Sequence, residues 1–216
     1  MSKLLTELLG AFFLMLVIGL TGNPIAIGLV LMIVVYMGGP VSGGHYNPAV
    51  TLGARLAGKI AWRDVIGYWV AQFSGAMLAA GLCAWLTGKG PVPSIPLTAN
   101  PAAADGAVAL AKPLAVEFIF TFLLVLVVLN VACSNRSKGN SYFGAAIGLT
   151  IAVAATAGGP ISGGAFNPAV GLGGNIVGLI HGVKVDPSVW LLYSVGPLAG
   201  GAVAASVFAL QEKGAA

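Results

Sequence analysis

The sequence predicts an all-α membrane protein with six transmembrane helices and two re-entrant half-helices, arranged as an inverted repeat of three plus three spans. The chain of 216 residues is 58% hydrophobic and only 7% charged, and its mean hydropathy is +0.97. Too few polar side chains remain to cover a soluble domain. A second observation is a set of apolar runs long enough to cross about 30 Å of hydrocarbon. The third is a Gly-rich segment that occurs twice, at residues 38–50 and 158–170. This duplication predicts that two matching halves build one site near the bilayer midplane.

The apolar runs form two sets of three. They cover residues 4–20, 25–37 and 65–86 in the first set and residues 113–133, 142–157 and 187–210 in the second. The second run is short, and we expect residues on either side to extend it. The first run follows Lys3, as in a signal peptide, but Glu7 at its head has a counterpart in Glu117 at the head of the fourth. We therefore expect the first run to be retained as a transmembrane helix.

A shorter segment lies between the second and third spans of each set, at residues 47–56 and 167–177. We interpret each as a half-helix that enters the membrane through Gly-rich backbone without crossing it. Such backbone is tolerated at membrane depth only where protein encloses it or where it lines water, so a cavity is implied. The first repeat then covers residues 1–86 and the second 113–216, joined by an external loop at 87–112.

An odd number of spans in each half means that the two half-helices approach the midplane from opposite sides. The positive-inside rule favours an orientation with both termini in the cytoplasm. The basic residues then cytoplasmic are Lys3, Arg55, Lys59, Arg63, Arg136, Lys138 and Lys213, against Lys89, Lys112 and Lys184 outside. Because these residues are scattered singly, the formal charge of +4 reflects topology and predicts no nucleic-acid partner. The two cysteines, Cys83 and Cys133, lie in or beside apolar spans, where a thiol usually packs as a small apolar group and implies no metal cluster.

The duplicated segment contains the tripeptide Asn-Pro-Ala, and we call each copy a box. The boxes consist of Asn47, Pro48, Ala49 and of Asn167, Pro168, Ala169. Asn is a favoured N-cap and Pro a favoured first helical residue, so each box is physically a helix start. Two such starts meeting at the midplane bring two side-chain amides to the positive ends of two helix dipoles, where cations and protons would meet an electrostatic barrier. For a single copy, a capped surface helix is the alternative.

The paired boxes in matching Ser-Gly-Gly contexts resemble the aquaporin (major intrinsic protein) family, and the resemblance covers nearly the whole chain. It implies a channel and not an enzyme, without cofactor or metal, that passes water and small uncharged solutes. It also implies a homotetramer with one pore per subunit in the lipid bilayer of the cell membrane.

In that family the loops before the boxes present a ladder of backbone carbonyls to the pore. The matching residues here are Gly43, Gly44, His45, Tyr46, Gly163, Gly164, Ala165 and Phe166. The alternative is a merely flexible loop, which would leave amides unpaired at bilayer depth.

The two intramembrane carboxylates, Glu7 and Glu117, are costly in a membrane unless paired. The resemblance implies that they brace the half-helix loops by accepting backbone hydrogen bonds. The alternative is a proton relay in an inverted-repeat secondary transporter. Ser42 and His45 could also be read as the nucleophile and base of an intramembrane protease, but their spacing alone shows nothing about geometry.

The selectivity region is where the sequence departs from the family pattern. Most aquaporins follow the second box with Arg, whereas this chain has Val170. By the same pattern the other constriction positions fall at Ile27, Ala155 and Gly164, so the set has no charge, no aromatic ring and no side-chain donor. The glycerol-channel pattern is not met either, because Gly171 stands where those members carry Asp. We expect a wide, wet, apolar region that passes solutes larger than water; the alternative is a region that dewets.

Overall fold

The computed structural model describes residues 1–88 and 106–213. Within these residues the chain forms eight α-helices in two sets of four. The first set is α1 (Ser2–Thr21), α2 (Pro24–Ser42), α3 (Pro48–Leu56) and α4 (Trp62–Thr87). The second set is α5 (Gly106–Val128), α6 (Phe143–Ser162), α7 (Pro168–Ile180) and α8 (Ser188–Lys213). In the described part of the chain, six helices are long and apolar enough to cross a membrane, which confirms the predicted fold class.

Three of the helices begin with the same Asn-Pro pair. Asn23, Asn47 and Asn167 are the N-caps of α2, α3 and α7, and each side-chain oxygen accepts a hydrogen bond from backbone N–H groups of the first turn. The following Pro occupies the first helical position, where its missing N–H has no cost. At the start of α8, the backbone N–H of Ser188 donates to Asp186 at 2.8 Å and holds the pKa of this exposed carboxyl below its usual range.

Several helix boundaries differ from those predicted by the sequence. The short second span is extended in both directions, as expected. The second half-helix continues past residue 177 to Ile180, since its apolar pattern continues for three more residues. The fourth span begins at Gly106 and not at Pro113, because the Ala- and Leu-rich stretch before the proline has high helix propensity. Part of the expected loop 87–112 is therefore helical, and its residues 89–105 lie outside the described residues.

The two halves pack by the same plan. Helix α1 packs against α4, and its counterpart α5 packs against α8. A Cβ atom at Gly75 would overlap the carbonyl oxygen of Leu8, and one at Gly200 would overlap that of Phe118. These glycines occupy matching positions in the repeat, so both crossings depend on the same missing side chain.

The halves meet where α2 packs against α6. Gly28 and Gly148, again matching positions, face each other there, and a Cβ atom on Gly28 would lie 2.6 Å from the carbonyl oxygen of Gly148. The half-helices reach across this junction, because α3 packs against α8 and α7 against α4. Each half-helix is thus enclosed by spans of the opposite repeat, which brings the two boxes together.

We call the end of the bundle where α1 begins and α8 ends the terminal face, and the opposite end the distal face. At the terminal face α5 continues into one turn of π-helix, Leu129–Cys133. The Nδ2 atom of Asn140 donates to the carbonyl oxygen of Val131 at 2.7 Å, and the Arg136 guanidinium forms a 2.9 Å ion pair with Glu212 at the end of α8. These contacts fix the π-helical turn, a kind of irregularity that often marks functional sites.

Candidate functional site

The two box asparagines hydrogen-bond to each other's loops. Nδ2 of Asn47 donates to the carbonyl oxygen of Phe166 at 2.8 Å, and Nδ2 of Asn167 donates to that of Tyr46 at 3.0 Å. Their Oδ1 atoms meanwhile cap α3 and α7, accepting from Ala49 and Ala169 at 2.9 Å. An amide nitrogen carries two N–H groups, so each asparagine retains one that bonds no other described residue. Both side chains line the same cavity.

The residues before the boxes have an unusual backbone conformation. Tyr46 has a φ of 51° and Phe166 a φ of 47°, the only positive values among non-glycine residues in the described ranges. The left-handed conformation costs about 1–2 kcal/mol for an L-residue, so the surrounding contacts must maintain it. The N–H group of each residue donates to a buried glutamate and the carbonyl accepts an asparagine amide from the opposite loop. The sequence analysis did not predict this strain; its only signal is an aromatic residue before both boxes.

Glu7 accepts four hydrogen bonds, three from residues in or beside the first loop and one from α4. Its Oε1 accepts from the Ser42 hydroxyl at 2.6 Å and the His45 backbone N–H at 3.0 Å. Its Oε2 accepts from the Tyr46 backbone N–H at 2.7 Å and from Nε2 of Gln72 at 2.8 Å. The carboxyl is fully buried and lines neither of the cavities described below. Ser42 therefore bonds to a carboxylate and not to the His45 ring, which removes the geometry that a serine nucleophile and histidine base require.

Glu117 repeats this arrangement with three bonds. It accepts from the Ser162 hydroxyl at 2.7 Å and from the backbone N–H groups of Ala165 and Phe166 at 3.0 and 2.6 Å. The position that matches Gln72 is Pro197, which has no donor. Glu117 is also fully buried and away from both cavities.

A polar network beside the first box has no counterpart beside the second. The Thr51 hydroxyl donates to the carbonyl of Asn47 at 3.1 Å and accepts from Nε2 of Gln72 at 2.9 Å. The same hydroxyl lies 3.1 Å from Nδ1 of His45. We assign the proton of this contact to Nδ1, because the hydroxyl proton is directed to the Asn47 carbonyl. A neutral His45 ring then keeps Nε2 as a hydrogen-bond acceptor. The matching residues of the second half are Ala165 and Gly171.

A cavity of about 410 Å³ extends from the boxes to the distal face. The four positions that the sequence analysis assigned to the selectivity region, Ile27, Ala155, Gly164 and Val170, all line it. Most of the other lining side chains are aliphatic, and among the described residues none that lines the cavity is charged or aromatic apart from the His45 imidazole. At the four positions of the selectivity region, the wall therefore has only apolar side chains or, at Gly164, no side chain.

The expected ladder residues divide into two groups. Those that line the first cavity are Gly44, His45, Gly163, Gly164 and Ala165, and Gly43 lines the second. Tyr46 and Phe166 line neither cavity, and their carbonyls accept the box asparagines. The family pattern includes these two residues in the ladder. A sequence pattern cannot show that their carbonyls are already hydrogen-bonded to the asparagines.

A second cavity, of about 680 Å³, opens at the terminal face. Its wall carries the charged side chains of Lys3, Lys59, Asp64 and Lys138, and also Cys133. From the sequence, both thiols were expected to pack as small apolar groups. That interpretation holds for Cys83, which is fully buried, but is wrong for Cys133, which is partly exposed in the cavity wall. Helix periodicity could not identify the exposed thiol because the π-helical turn changes the register at this point.

The two cavities share His45, Val128 and Ile147 in their walls. Together they run from Lys3 and Lys138 at the terminal face to Gly22 and Pro24 at the distal face. We call the route through both cavities the path; the asparagines of the two boxes line its first cavity.

Comparison with known proteins supports this architecture. Residues 11–208 match the family model described as Major intrinsic protein. The chain is 37% identical over 213 residues to aquaporin NIP1-1 of Oryza sativa subsp. japonica, covering 92% of this chain and 70% of that one. It is 34% identical over 192 residues to aquaporin TIP2-1 of Arabidopsis thaliana, covering 88% and 71%. The X-ray structure of the aquaglyceroporin from Plasmodium falciparum has the same fold, with a TM-score of 0.81 and 24% identity over 96% of this chain and 94% of that one.

Proposed function

The chain belongs to the major intrinsic protein family, and we propose that each subunit forms a passive pore for water and small uncharged solutes. Members of this family are membrane channels, so the protein is an integral membrane channel and not an enzyme. The observation that carries the proposal is the meeting of the two boxes in the wall of a cavity, where Asn47 and Asn167 each keep one free N–H.

The free N–H groups support the proposed central barrier. Each lies at the start of a half-helix, where the helix dipole is positive, and the two starts face each other. Water in single file would turn its oxygen atoms toward these donors, and a cation or proton would be repelled by the same field.

The cavity wall supports the proposed passage of solutes larger than water. Ala155 and Gly164 contribute almost no side-chain bulk, and Ile27 and Val170 add neither charge nor donor. A positive side chain at Val170 would fill this region and order its water, as the resemblance implies for other family members.

A coupled transporter is a poorer fit to these contacts. A proton relay needs titratable groups that reach the path, and Glu7 and Glu117 are enclosed by hydrogen bonds outside both cavity walls. Their bonds to backbone N–H groups support instead the proposed role of bracing the loops.

Stopped-flow light scattering on proteoliposomes tests the function. We expect water, urea and glycerol to equilibrate faster than in protein-free vesicles, with a low activation energy and with no accumulation when a proton gradient is applied. Ala155→Trp should close the path, and Leu149→Trp on the outward side of the same helix should not. Solute accumulation driven by the proton gradient would favour the transporter instead.

The proposal also includes a homotetramer in the cell membrane with both termini cytoplasmic. The cluster of Lys3, Lys59 and Lys138 at the terminal face supports this orientation under the positive-inside rule. Native mass spectrometry of the detergent-solubilised protein tests the subunit number. Protease access to a tag after Lys213 in intact cells tests the orientation.

A further inference from the structure

The residues that line the path change from those of the first cavity to those of the second at one level of the bundle. Toward the distal face, α6 contributes Ile151 and Ala155 to the first cavity, and toward the terminal face it contributes Phe143 to the second; Ile147 contributes to both. On α5 the same order holds for Leu124, Val128 and Val131, with Val128 in both. Two spans and the first loop, through His45, thus converge at one level, which we call the neck.

The neck is bulkier than the selectivity region expected from the family pattern. Val128 and Ile147 are β-branched and have one strongly preferred χ1 rotamer in a helix. They are also buried, with 6% and 4% of their surface exposed, so their neighbours leave little room for another rotamer. The selectivity region, toward the distal face, also has two β-branched side chains, Ile27 and Val170, but its other two positions are the small Ala155 and Gly164.

Neighbouring contacts hold His45 and the end of α5, where Val128 lies, in place. Nδ1 of His45 is bonded to Thr51, and its ring lies edge-on to Tyr68 at a centroid distance of 5.3 Å. Val128 is the last residue of α5 before the π-helical turn. Asn140 fixes that turn through the carbonyl of Val131, as described above.

We infer that the neck formed by His45, Val128 and Ile147, and not the region around Val170, sets the size limit for uncharged solutes. Two apolar side chains narrow the path, and Nε2 of His45 supplies an acceptor for a hydroxyl or water passing them. This inference rests on the proposed channel function and adds to it the residues that decide which solutes pass.

A series of linear polyols of increasing length tests the neck in proteoliposomes. Val128→Ala and Ile147→Ala should each raise the flux of erythritol relative to glycerol, by roughly tenfold where a removed side chain lowers the barrier by about 1.4 kcal/mol. Ile147→Val removes a single methyl group and should shift the ratio in the same direction by less. This milder variant remains informative if an alanine variant fails to fold.

Matched variants separate the neck from the rest of the path. Leu124→Ala and Ile151→Ala lie one helical turn toward the distal face and should change the ratio by less than the neck variants do. Leu149→Ala faces outward and should leave it unchanged. Equal effects of Ile151→Ala and Ile147→Ala, or an unchanged ratio in all three neck variants, would overturn the inference. Absence of any flux in the unmodified protein would instead contradict the proposed channel function.

Discussion

The Nδ2 atom of each box asparagine has two N–H groups with different tasks. One bonds the opposite loop and the other bonds no described residue, so the side chain links the two halves and also keeps a donor in the wall of the first cavity. A change at this position therefore affects stability and conduction together, and an experiment must separate the two.

Replacing Asn47 or Asn167 with Asp should weaken cation exclusion. The carboxylate still caps its half-helix but places a negative charge at the meeting point of the dipoles, and a barrier lower by about 1.4 kcal/mol gives a leak about tenfold larger. Proton and potassium fluxes into proteoliposomes measure it. Asn47→Ser is the control, because it keeps a capping oxygen without the charge. If both Asp variants fold and neither leaks more than Asn47→Ser, the central barrier lies elsewhere.

Val170→Arg should reduce glycerol flux several-fold and leave water flux nearly unchanged. The guanidinium fills the wide region near Ala155 and Gly164 and adds donors that water can use. Val170→Met adds bulk without charge and separates bulk from electrostatics. Paired stopped-flow measurements with glycerol and water test the prediction, and an unchanged glycerol flux in a folded Val170→Arg protein would contradict it.

Variants of Glu117, one of the two glutamates proposed to brace the loops, should differ in thermal stability in a definite order. Glu117→Ala leaves the N–H groups of Ala165 and Phe166 buried without an acceptor, at about 1–3 kcal/mol each. Glu117→Gln keeps one of the two oxygens and should fall between Glu117→Ala and the unmodified protein. Thermal unfolding in detergent, followed by flux in vesicles, measures the order. Equal melting temperatures for Glu117→Gln and Glu117→Ala would show that the bonds contribute little.

At the scale of helices, the helix crossings depend on single missing side chains. Gly75→Ala places a Cβ atom against the backbone of α1 and should destabilise the protein by about 1–3 kcal/mol, as overpacking does. Gly81→Ala on the same helix has open space around its Cβ position and should be neutral or slightly stabilising. The two melting temperatures form the comparison. Similar values for the two variants would mean that α1 and α4 can move apart without cost.

The helices were predictable because hydrophobic length and the Asn-Pro starts are local properties of the chain. The six spans and both half-helices follow from them, and the duplicated boxes predict the inverted arrangement. The later end at Ile180 and the earlier start at Gly106 follow from apolar and helix-forming residues that the predicted boundaries left out. The exposed Cys133 was not predictable, because it depends on the π-helical turn, which no local pattern specifies.

The same reason limits what the sequence reveals of the site. The family pattern identified Ile27, Ala155, Gly164 and Val170, and these residues do line one cavity. The left-handed conformation of Tyr46 and Phe166 and the neck at Val128 and Ile147 went unnoticed. Both arise from residues far apart in sequence that meet only in the folded chain.

At the scale of the whole molecule, access to the two thiols tests the cavity at the terminal face. A membrane-impermeant methanethiosulfonate reagent should modify Cys133 from the terminal face and reduce water flux, since Cys133 lines the cavity there. Cys83 is fully buried and should not react. Flux before and after treatment of sealed vesicles, with Cys133→Ser as control, measures the effect. Loss of flux in Cys133→Ser after treatment would show that Cys83 is accessible.

The crossed asparagine bonds also have a consequence during synthesis. Glu7 and the backbone of Tyr46 are 39 residues apart and can pair while the first half emerges, but Asn47 must wait for Phe166, 119 residues later. At about 5–20 residues per second, the ribosome needs about 6–24 s to supply that partner. Through this interval the first half-helix, whose packing partner α8 is also still missing, has no complete enclosure. Over the same time the first loop therefore lacks the partners from the second half that bond its polar groups in the folded chain.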